Sequence, residues 1–139
     1  MSKRSVFLSS GARDKVVARR VESELKRLGL NAFNPDREVR PGDDWRKAVQ
    51  AAIRRADALI LVATTPQSAE ASWMGYEAGM AEALGKRVMF LLPKKYPATA
   101  LPADLGSGHL LAFDPKSPKQ AARVILDQLA LDDSADAAA

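Results

Sequence analysis

The sequence predicts one α/β domain, with a parallel sheet covered by helices on both faces. Short apolar runs alternate with longer segments whose apolar residues recur every three or four positions, which indicates strands alternating with amphipathic helices. Two runs, 58–63 and 88–92, are apolar throughout, as expected for strands that are buried on both faces. Glycines, prolines and short polar clusters separate the segments, as turns do between such elements.

The first two strands flank a predicted helix. Val6 to Leu8 forms the first strand, and Ser9-Ser10-Gly11 ends it. A helix then opens at Asp14 and stops at Gly29, because glycine readily adopts the left-handed conformation that follows a last helical turn. Leu30 to Phe33 forms the second strand. The helix has these apolar positions at helical spacing: Val17, Val21, Leu25 and Leu28.

A polar loop from Asn34 to Asp44, with the turn pair Pro41-Gly42, precedes the second helix. Asp43 or Asp44 can cap this helix by accepting a hydrogen bond from its first free amides. The predicted buried stripe of the helix consists of Trp45, Ala48, Val49, Ala52, Ile53 and Ala56.

Strands and helices continue to alternate in the second half of the chain. The third strand, Ala58 to Ala63, precedes a helix that carries Glu77 and ends at Gly85. The later elements are strands at Val88 to Leu92 and Leu110 to Phe113, the second of these at an edge of the sheet, and a helix from Pro118 to Leu129.

Five strands joined by helical crossovers predict the strand order 2-1-3-4-5 of flavodoxin-like folds, with right-handed connections. Such folds bind ligands at the carboxyl ends of the strands, at the switch point between strands 1 and 3. The crevice at this point should be lined by three polar segments, 9–14, 34–44 and 64–77.

Length and composition limit what the chain can be. Its 139 residues suit one domain, predicted over 1–131, and the alanine-rich acidic residues 132–139 are predicted to form a disordered tail. No cysteine is present, which excludes disulfides and thiolate chemistry. The single histidine, His109, argues against a histidine metal site or a Ser-His-Asp triad. We therefore expect no metal and no bound cofactor.

Charge and hydropathy bear on partners and location. The net charge is +4. The basic residues either lie on solvated helix faces or attract a phosphate-bearing ligand. No aromatic residues interleave with them, so a nucleic-acid partner is not expected. The apolar run from Val6 to Leu8 is too short for a signal peptide or a membrane span. We therefore expect a cytoplasmic protein without membrane contact.

Glu77 is the most informative residue for function. It lies on the helix after the third strand, near the predicted crevice. A helix glutamate usually faces solvent, but two features favour partial burial here. One is Trp73, which lies one turn before Glu77 on the helix surface. The other is a strip of small residues suited to close packing on the sheet: Gly75, Gly79 and Ala83.

A single carboxylate narrows the chemistry. Most glycosidases need two, because the leaving oxygen must be protonated. A pyridinium leaving group departs neutral without a proton, so one ionised glutamate that binds ribose and stabilises an oxocarbenium-like transition state can be enough. Ser9 and Ser10 could hydrogen-bond such a substrate or simply end the strand, and Arg13 or Arg37 could meet a pyrophosphate. Neither a glycine-rich dinucleotide fingerprint nor a P-loop is present.

Several segments, in the right order, resemble a Toll/interleukin-1 receptor (TIR) domain of bacterial type. The resemblance spans roughly Val6 to Phe113, and its combined order and spacing are specific. The matching segments are Val6-Phe7-Leu8-Ser9-Ser10 and Arg13-Asp14-Lys15 for the first box, Pro41-Gly42-Asp43-Asp44-Trp45 for the end of the BB loop, Ser72-Trp73 with Glu77 for the tryptophan-to-glutamate motif, and Gly85-Lys86-Arg87-Val88 before the fourth strand.

This resemblance implies a flavodoxin-like TIR fold and, as in many members, cleavage of NAD+ as a substrate. The products would be nicotinamide with ADP-ribose or a cyclic ADP-ribose signal. It also implies that Glu77 is catalytic and that Trp73 positions the substrate or shapes the product. Self-association that involves the BB loop is typical of the family, with a sensor protein in trans as a further candidate partner. Bacterial members often act in anti-phage defence or as virulence factors.

The residues predicted to bind the substrate come from the crevice and the resemblance together. Trp73 could equally be a core residue, and the apolar stripe that Trp45 heads favours the core for Trp45. The predicted set is Ser9, Ser10, Arg13, Asp14, Phe33, Trp45 and Trp73.

One departure from the family pattern affects the detail of the first loop, and a second resemblance keeps another function open. The first box reads Ser9-Ser10-Gly11-Ala12 and lacks the histidine that is common there. Residues 77–86 also resemble nucleoside 2-deoxyribosyltransferases, which place a nucleophilic glutamate on a similar helix before Gly-Lys, although their Asp-Gly-containing lead-in is missing at 69–72. The alternatives are a non-catalytic adaptor that only binds other TIR domains and a deoxyribosyltransferase-like enzyme.

Overall fold

Five strands form one parallel sheet at the centre of the protein. The structure is a computed structural model that describes residues 4–35, 42, 44–64, 72–93 and 109–138. The strands are β1 (Ser5–Ser10), β2 (Asn31–Phe33), β3 (Ala58–Val62), β4 (Arg87–Pro93) and β5 (His109–Phe113). Their order is β2-β1-β3-β4-β5 and every neighbouring pair is parallel. The predicted fold class and strand order are confirmed.

Within the described residues, four helices connect and follow these strands. They are α1 (Lys15–Arg27), which begins after a 3-10 turn at Ala12–Asp14, α2 (Trp45–Arg55), α3 (Ser72–Ala83) and α4 (Pro118–Ala138). Gly29 and Gly85 follow the ends of α1 and α3 with φ angles of 92° and 72°, in the left-handed region. The two predicted glycine stops are therefore confirmed. Among the described helices, none combines the length and the apolar character needed to cross a membrane.

Side chains alternate between the two faces of the sheet along each strand. On β1, Val6 and Leu8 belong to the core that α1 and α4 cover, whereas Phe7 belongs to the core that α2 and α3 cover. Ser9 comes two positions after Phe7 and is buried, so it points to the face of α2 and α3. Because β1 is paired with β3 at Ser9 and Leu61, this serine has a fixed place near the carboxyl end of an interior strand.

The chain after the fifth strand differs from the prediction. The last helix was expected to end at Leu129 and residues 132–139 to be disordered, but α4 continues to Ala138. Alanine has the highest helix propensity of all residues, and the alanines of the tail extend a helix that Ala122 and Ile125 already hold against the sheet.

Asp44 caps α2 as predicted. Its side chain accepts a hydrogen bond from the backbone amide of Lys47, with 3.3 Å between nitrogen and oxygen. The alternative cap, Asp43, lies outside the described residues. The capped helix packs on the sheet through Val49, Ala52 and Ile53, three residues of the predicted stripe.

Replacing this cap gives a first testable prediction. Asp44→Ala should lower the free energy of unfolding by about 1 kcal/mol, because one amide at the start of α2 loses its acceptor. Asp44→Asn should retain most of the stability, since asparagine is an equally good cap. Urea denaturation of the three proteins measures the effect. An equal loss in both variants would mean that the charge of Asp44, and not its capping bond, stabilises the helix.

Candidate active site

Glu77 lies on the side of α3 that packs against the sheet and is nearly inaccessible to solvent. Only 2% of the residue is exposed, and its neighbours on the same helix, Ala78 and Ala81, belong to the core between α3 and the sheet. The prediction that a strip of small residues packs on the sheet is wrong for Gly79 and Ala83, which are exposed. The exposure of the third member of the strip, Gly75, lies outside what the structure describes. The buried side of α3 is therefore the side of Glu77 itself.

Ser9 holds one oxygen of this carboxyl group. The Ser9 hydroxyl donates a hydrogen bond to Oε1 of Glu77 over 2.8 Å, and both side chains are buried. The other oxygen, Oε2, is also buried and has no hydrogen-bond partner among the described residues. A buried carboxyl oxygen without a partner is costly and uncommon in folded proteins, and calls for an explanation. A ligand that supplies a donor would satisfy it.

Burial changes the acidity of Glu77. It raises the pKa of the carboxyl group from 4.5 to about 7, because removal from water disfavours the charged form. The hydrogen bond from Ser9 acts in the opposite direction and lowers the pKa, since it stabilises the carboxylate. A carboxyl group that titrates close to neutral pH is a common property of functional sites.

A second buried carboxylate joins the ends of β1 and β3. Asp14 is fully buried, and it accepts hydrogen bonds from the Thr64 amide, over 3.3 Å, and from the Thr64 hydroxyl. It makes no side-chain capping bond to α1. Asp14, which was predicted to bind substrate, thus ties the turn after β1 to the residue that follows Ala63, and so holds together two of the three segments predicted to line the crevice.

A third polar contact anchors the start of the remaining segment. The buried side chain of Glu22 on α1 accepts hydrogen bonds from Nδ2 of Asn34, over 3.2 Å, and from Nζ of Lys26, over 2.7 Å. Asn34 is itself buried and follows β2 directly. Sequence reasoning missed this contact, although Glu22 lies one turn after the buried Ala18 and therefore on the inner side of the helix.

The other predicted site residues lie as follows. Ser10 is half-buried, and the alternation along β1 directs it to the face opposite Ser9; Arg13 is exposed. Phe33 is half-buried and stacks on Phe7, with 5.4 Å between the ring centroids. The structure thus brings Ser9 and Glu77 into contact. The side chains of Trp45 and Trp73, and Arg37 as a whole, lie outside the part of the chain that is described.

Two surface grooves of about 340 Å³ each lie in the described part of the chain. One runs along the β2 edge and is lined by residues such as Asn31, Phe33 and Arg55, and the other lies beside Arg20 and Pro118. Neither is lined by Ser9 or Glu77. The predicted crevice is bounded by 36–41 and 65–71, which lie outside the described residues, so the two grooves do not bear on it.

Solved structures with the same fold include proteins of several kinds. The TIR domains of the activated Roq1 resistosome, which recognises the pathogen effector XopQ, are similar with a TM-score of 0.68 and 18% identity, over 91% of this chain and 99% of that one. A 2-desoxiribosyltransferase from Leishmania mexicana gives 0.66 and 18%, over 87% and 97%. A CMP N-glycosidase from Clostridium botulinum gives 0.60 and 22%, over 85% and 97%. At these identities the likeness shows the fold alone.

The sequence itself decides between these neighbours at the level of family. No curated protein matches the chain. The family model described as "TIR domain" matches residues 6–127, a range that extends from β1 into the last helix. With most of its length matched in this way, the chain belongs to the TIR domain family.

Proposed function

We propose that this TIR domain cleaves the bond between nicotinamide and ribose in NAD+, with Glu77 as the catalytic residue. One observation carries the proposal. Glu77 is a buried carboxyl group beside the end of an interior strand, with Oε1 held by Ser9 and Oε2 unpartnered among the described residues. The carboxyl ends of parallel strands are where such folds bind ligands.

The proposed chemistry needs only one carboxylate. As the bond from C1′ of the ribose to the nicotinamide nitrogen breaks, both bonding electrons leave with the nicotinamide, which becomes neutral. Positive charge develops on the ribose, and the Glu77 carboxylate stabilises it electrostatically in a site with little water. Oε2 is the oxygen proposed to accept a hydrogen bond from a ribose hydroxyl. Water then adds to C1′ and releases a proton, which gives ADP-ribose.

A cyclic product requires only a different nucleophile. If a ring nitrogen of the adenine in the same molecule attacks C1′ in place of water, the product is a cyclic ADP-ribose and nicotinamide is released as before. The family resemblance assigns Trp73 to positioning the substrate or shaping the product. Nicotinamide release therefore reports the proposed activity whichever product forms.

The comparisons support the class of bond. The Clostridium botulinum protein is named a CMP N-glycosidase and the Leishmania mexicana protein a 2-desoxiribosyltransferase, so both act at the bond between a sugar and a base. Cleavage of NAD+ at its nicotinamide is the same type of bond cleavage.

Self-association through TIR–TIR contacts, with a sensor protein in trans as a further partner, belongs to the proposal for a cytoplasmic signalling or defence protein.

The test separates this proposal from its two alternatives. Purified protein at high concentration is incubated with NAD+, and free nicotinamide is measured by chromatography. In parallel, the protein receives a deoxynucleoside together with a second free base. Nicotinamide release supports the proposal. Base exchange without loss of NAD+ would contradict it in favour of a deoxyribosyltransferase, and inactivity in both assays would favour the TIR–TIR adaptor.

The raised pKa of Glu77 predicts the pH dependence of NAD+ cleavage. The ionised form is the active one, and it becomes populated as the pH rises through about 7. kcat/KM should therefore increase with pH and level off above about pH 8. Near pH 6, kcat/KM should be about tenfold lower than on this plateau. Initial rates of nicotinamide release, corrected for uncatalysed loss of NAD+, measure the profile. A profile that stays flat from about pH 5 to about pH 8 would contradict a catalytic Glu77 carboxylate.

A further inference from the structure

We propose that Ser9 is a positioning residue for Glu77 and not a contact of the substrate. Its hydroxyl holds Oε1, so that Oε2 is the oxygen left for the ribose. This inference rests on the proposed function and deepens it. The hydroxyl of a serine has one hydrogen to donate, and here that hydrogen is used on Oε1 over 2.8 Å. Only 1% of Ser9 is exposed.

The two partners differ in stiffness. Ser9 has one side-chain torsion to its hydroxyl and belongs to a strand that is paired with β3 at Leu61. Glu77 has three torsions and would sample several rotamers if nothing held its carboxyl group. A short side chain on an interior strand is therefore a rigid reference point for a longer one on a helix. Fixing one oxygen in this way also fixes the direction of the other.

Within the described residues, Ser9 is the hydrogen-bond donor to Glu77. The sheet residues of the core on this face are apolar, and the charged residues of α2 and α3 other than Glu77 are exposed. The apolar residues are Phe7, Leu59, Leu61, Val88 and Phe90. The exposed charged residues are Arg46, Lys47, Arg54, Arg55 and Glu82. None of these groups replaces the Ser9 hydroxyl if it is removed.

Removing the hydroxyl has a consequence for acidity that a packing role would not have. The Ser9 hydrogen bond lowers the pKa of Glu77 against the larger effect of burial. Without it, the pKa rises further, and a smaller fraction of Glu77 is ionised at neutral pH. The carboxyl group also loses its fixed orientation, which affects the chemical step more than the binding of NAD+.

The experiment uses Ser9→Ala, Ser9→Thr and the control Ser5→Ala at the other end of β1. The pKa of Glu77 is measured by NMR of its carboxyl carbon, which does not depend on turnover, and kcat and KM are measured separately. Ser9→Ala should raise the pKa above that of the parent and lower kcat about ten- to a hundredfold, with KM within about twofold. Ser9→Thr should restore both values, because it returns the hydroxyl on a residue that suits a strand. Ser5→Ala should change neither.

Three outcomes would overturn the inference. A raised KM with an unchanged pKa would make Ser9 a substrate contact. A lower melting temperature with parental pKa and kcat would make it a packing residue. If Ser9→Ala does not fold, Ser9→Cys takes its place, because cysteine is nearly isosteric with serine but is a weaker donor. A Glu77 pKa that is unchanged in Ser9→Cys would likewise make Ser9 a packing residue. If the parent protein cleaves no NAD+ but its Glu77 pKa still rises in Ser9→Ala, the proposed activity fails while the pairing of Ser9 with Glu77 is supported.

Discussion

Glu77→Gln should lower kcat for nicotinamide release by about a hundred- to a thousandfold. Glutamine has nearly the size and shape of glutamate, so the core between α3 and the sheet should keep its packing. It carries no charge at any pH, however, and cannot stabilise the positive ribose of the transition state. Loss of one such preorganised electrostatic partner has effects of this order in other enzymes. The measurement is the initial rate of nicotinamide release at saturating NAD+.

The same helix offers a matched control. Glu82 lies on α3 as well, but it is exposed. Glu82→Gln makes the identical chemical change on the surface and should leave kcat and KM at their parental values. A folded Glu77→Gln protein with parental activity would remove Glu77 from the mechanism. If the parent is inactive and Glu77→Gln still binds other TIR domains as the parent does, the adaptor would be the better account.

Stability should depend on pH through the same residue. The pKa of Glu77 is 4.5 when it is exposed to water and about 7 in the folded protein. Between these values the folded state binds more protons than the unfolded state, so the free energy of unfolding falls as the pH rises. The stabilisation is complete below about pH 4.5 and is lost once the pH passes about 7. A shift of this size corresponds to roughly 3 kcal/mol.

A comparison of parent and Glu77→Gln isolates this effect. The difference in their unfolding free energies, measured by urea denaturation at about pH 5 and at about pH 8, cancels the contributions of other titrating groups. Glutamine does not titrate, so the variant should gain on the parent by most of the roughly 3 kcal/mol between the two pH values. Glu82→Gln should show no such gain. An equal difference at both pH values would mean that burial does not raise the pKa of Glu77.

Sequence reasoning succeeds where the pattern of apolar residues is decisive. The apolar runs at 58–63 and 88–92 were predicted to be strands covered on both faces, and the crossover rules then order the sheet. Glu77 could be singled out because it follows a central strand. Ser9 was predicted to be near it, but as a substrate contact. Its hydrogen bond to Glu77 depends on the register of β1 against β3, which local sequence does not determine.

The failures have a physical cause as well. α3 carries small and apolar residues on several sides, so its pattern does not specify which side packs on the sheet. The packing of Ala78 and Ala81 decides this, and it leaves Gly79 and Ala83 exposed. The extension of the last helix to Ala138 was missed because the acidic residues of the tail outweighed its alanines in the prediction.

The distance between Ser9 and Glu77 along the chain has a consequence for how this protein would be assayed and engineered. The two residues are 68 positions apart, and they meet only when β1 has been inserted beside β3 and α3 has docked on the same face. No fragment that lacks β1 or α3 can assemble the pair. Partial opening that frees β1 from the sheet breaks the contact between Ser9 and Glu77. Turnover would therefore report the assembly of β1, β3 and α3, and its recovery after dilution from denaturant would time the formation of this long-range contact.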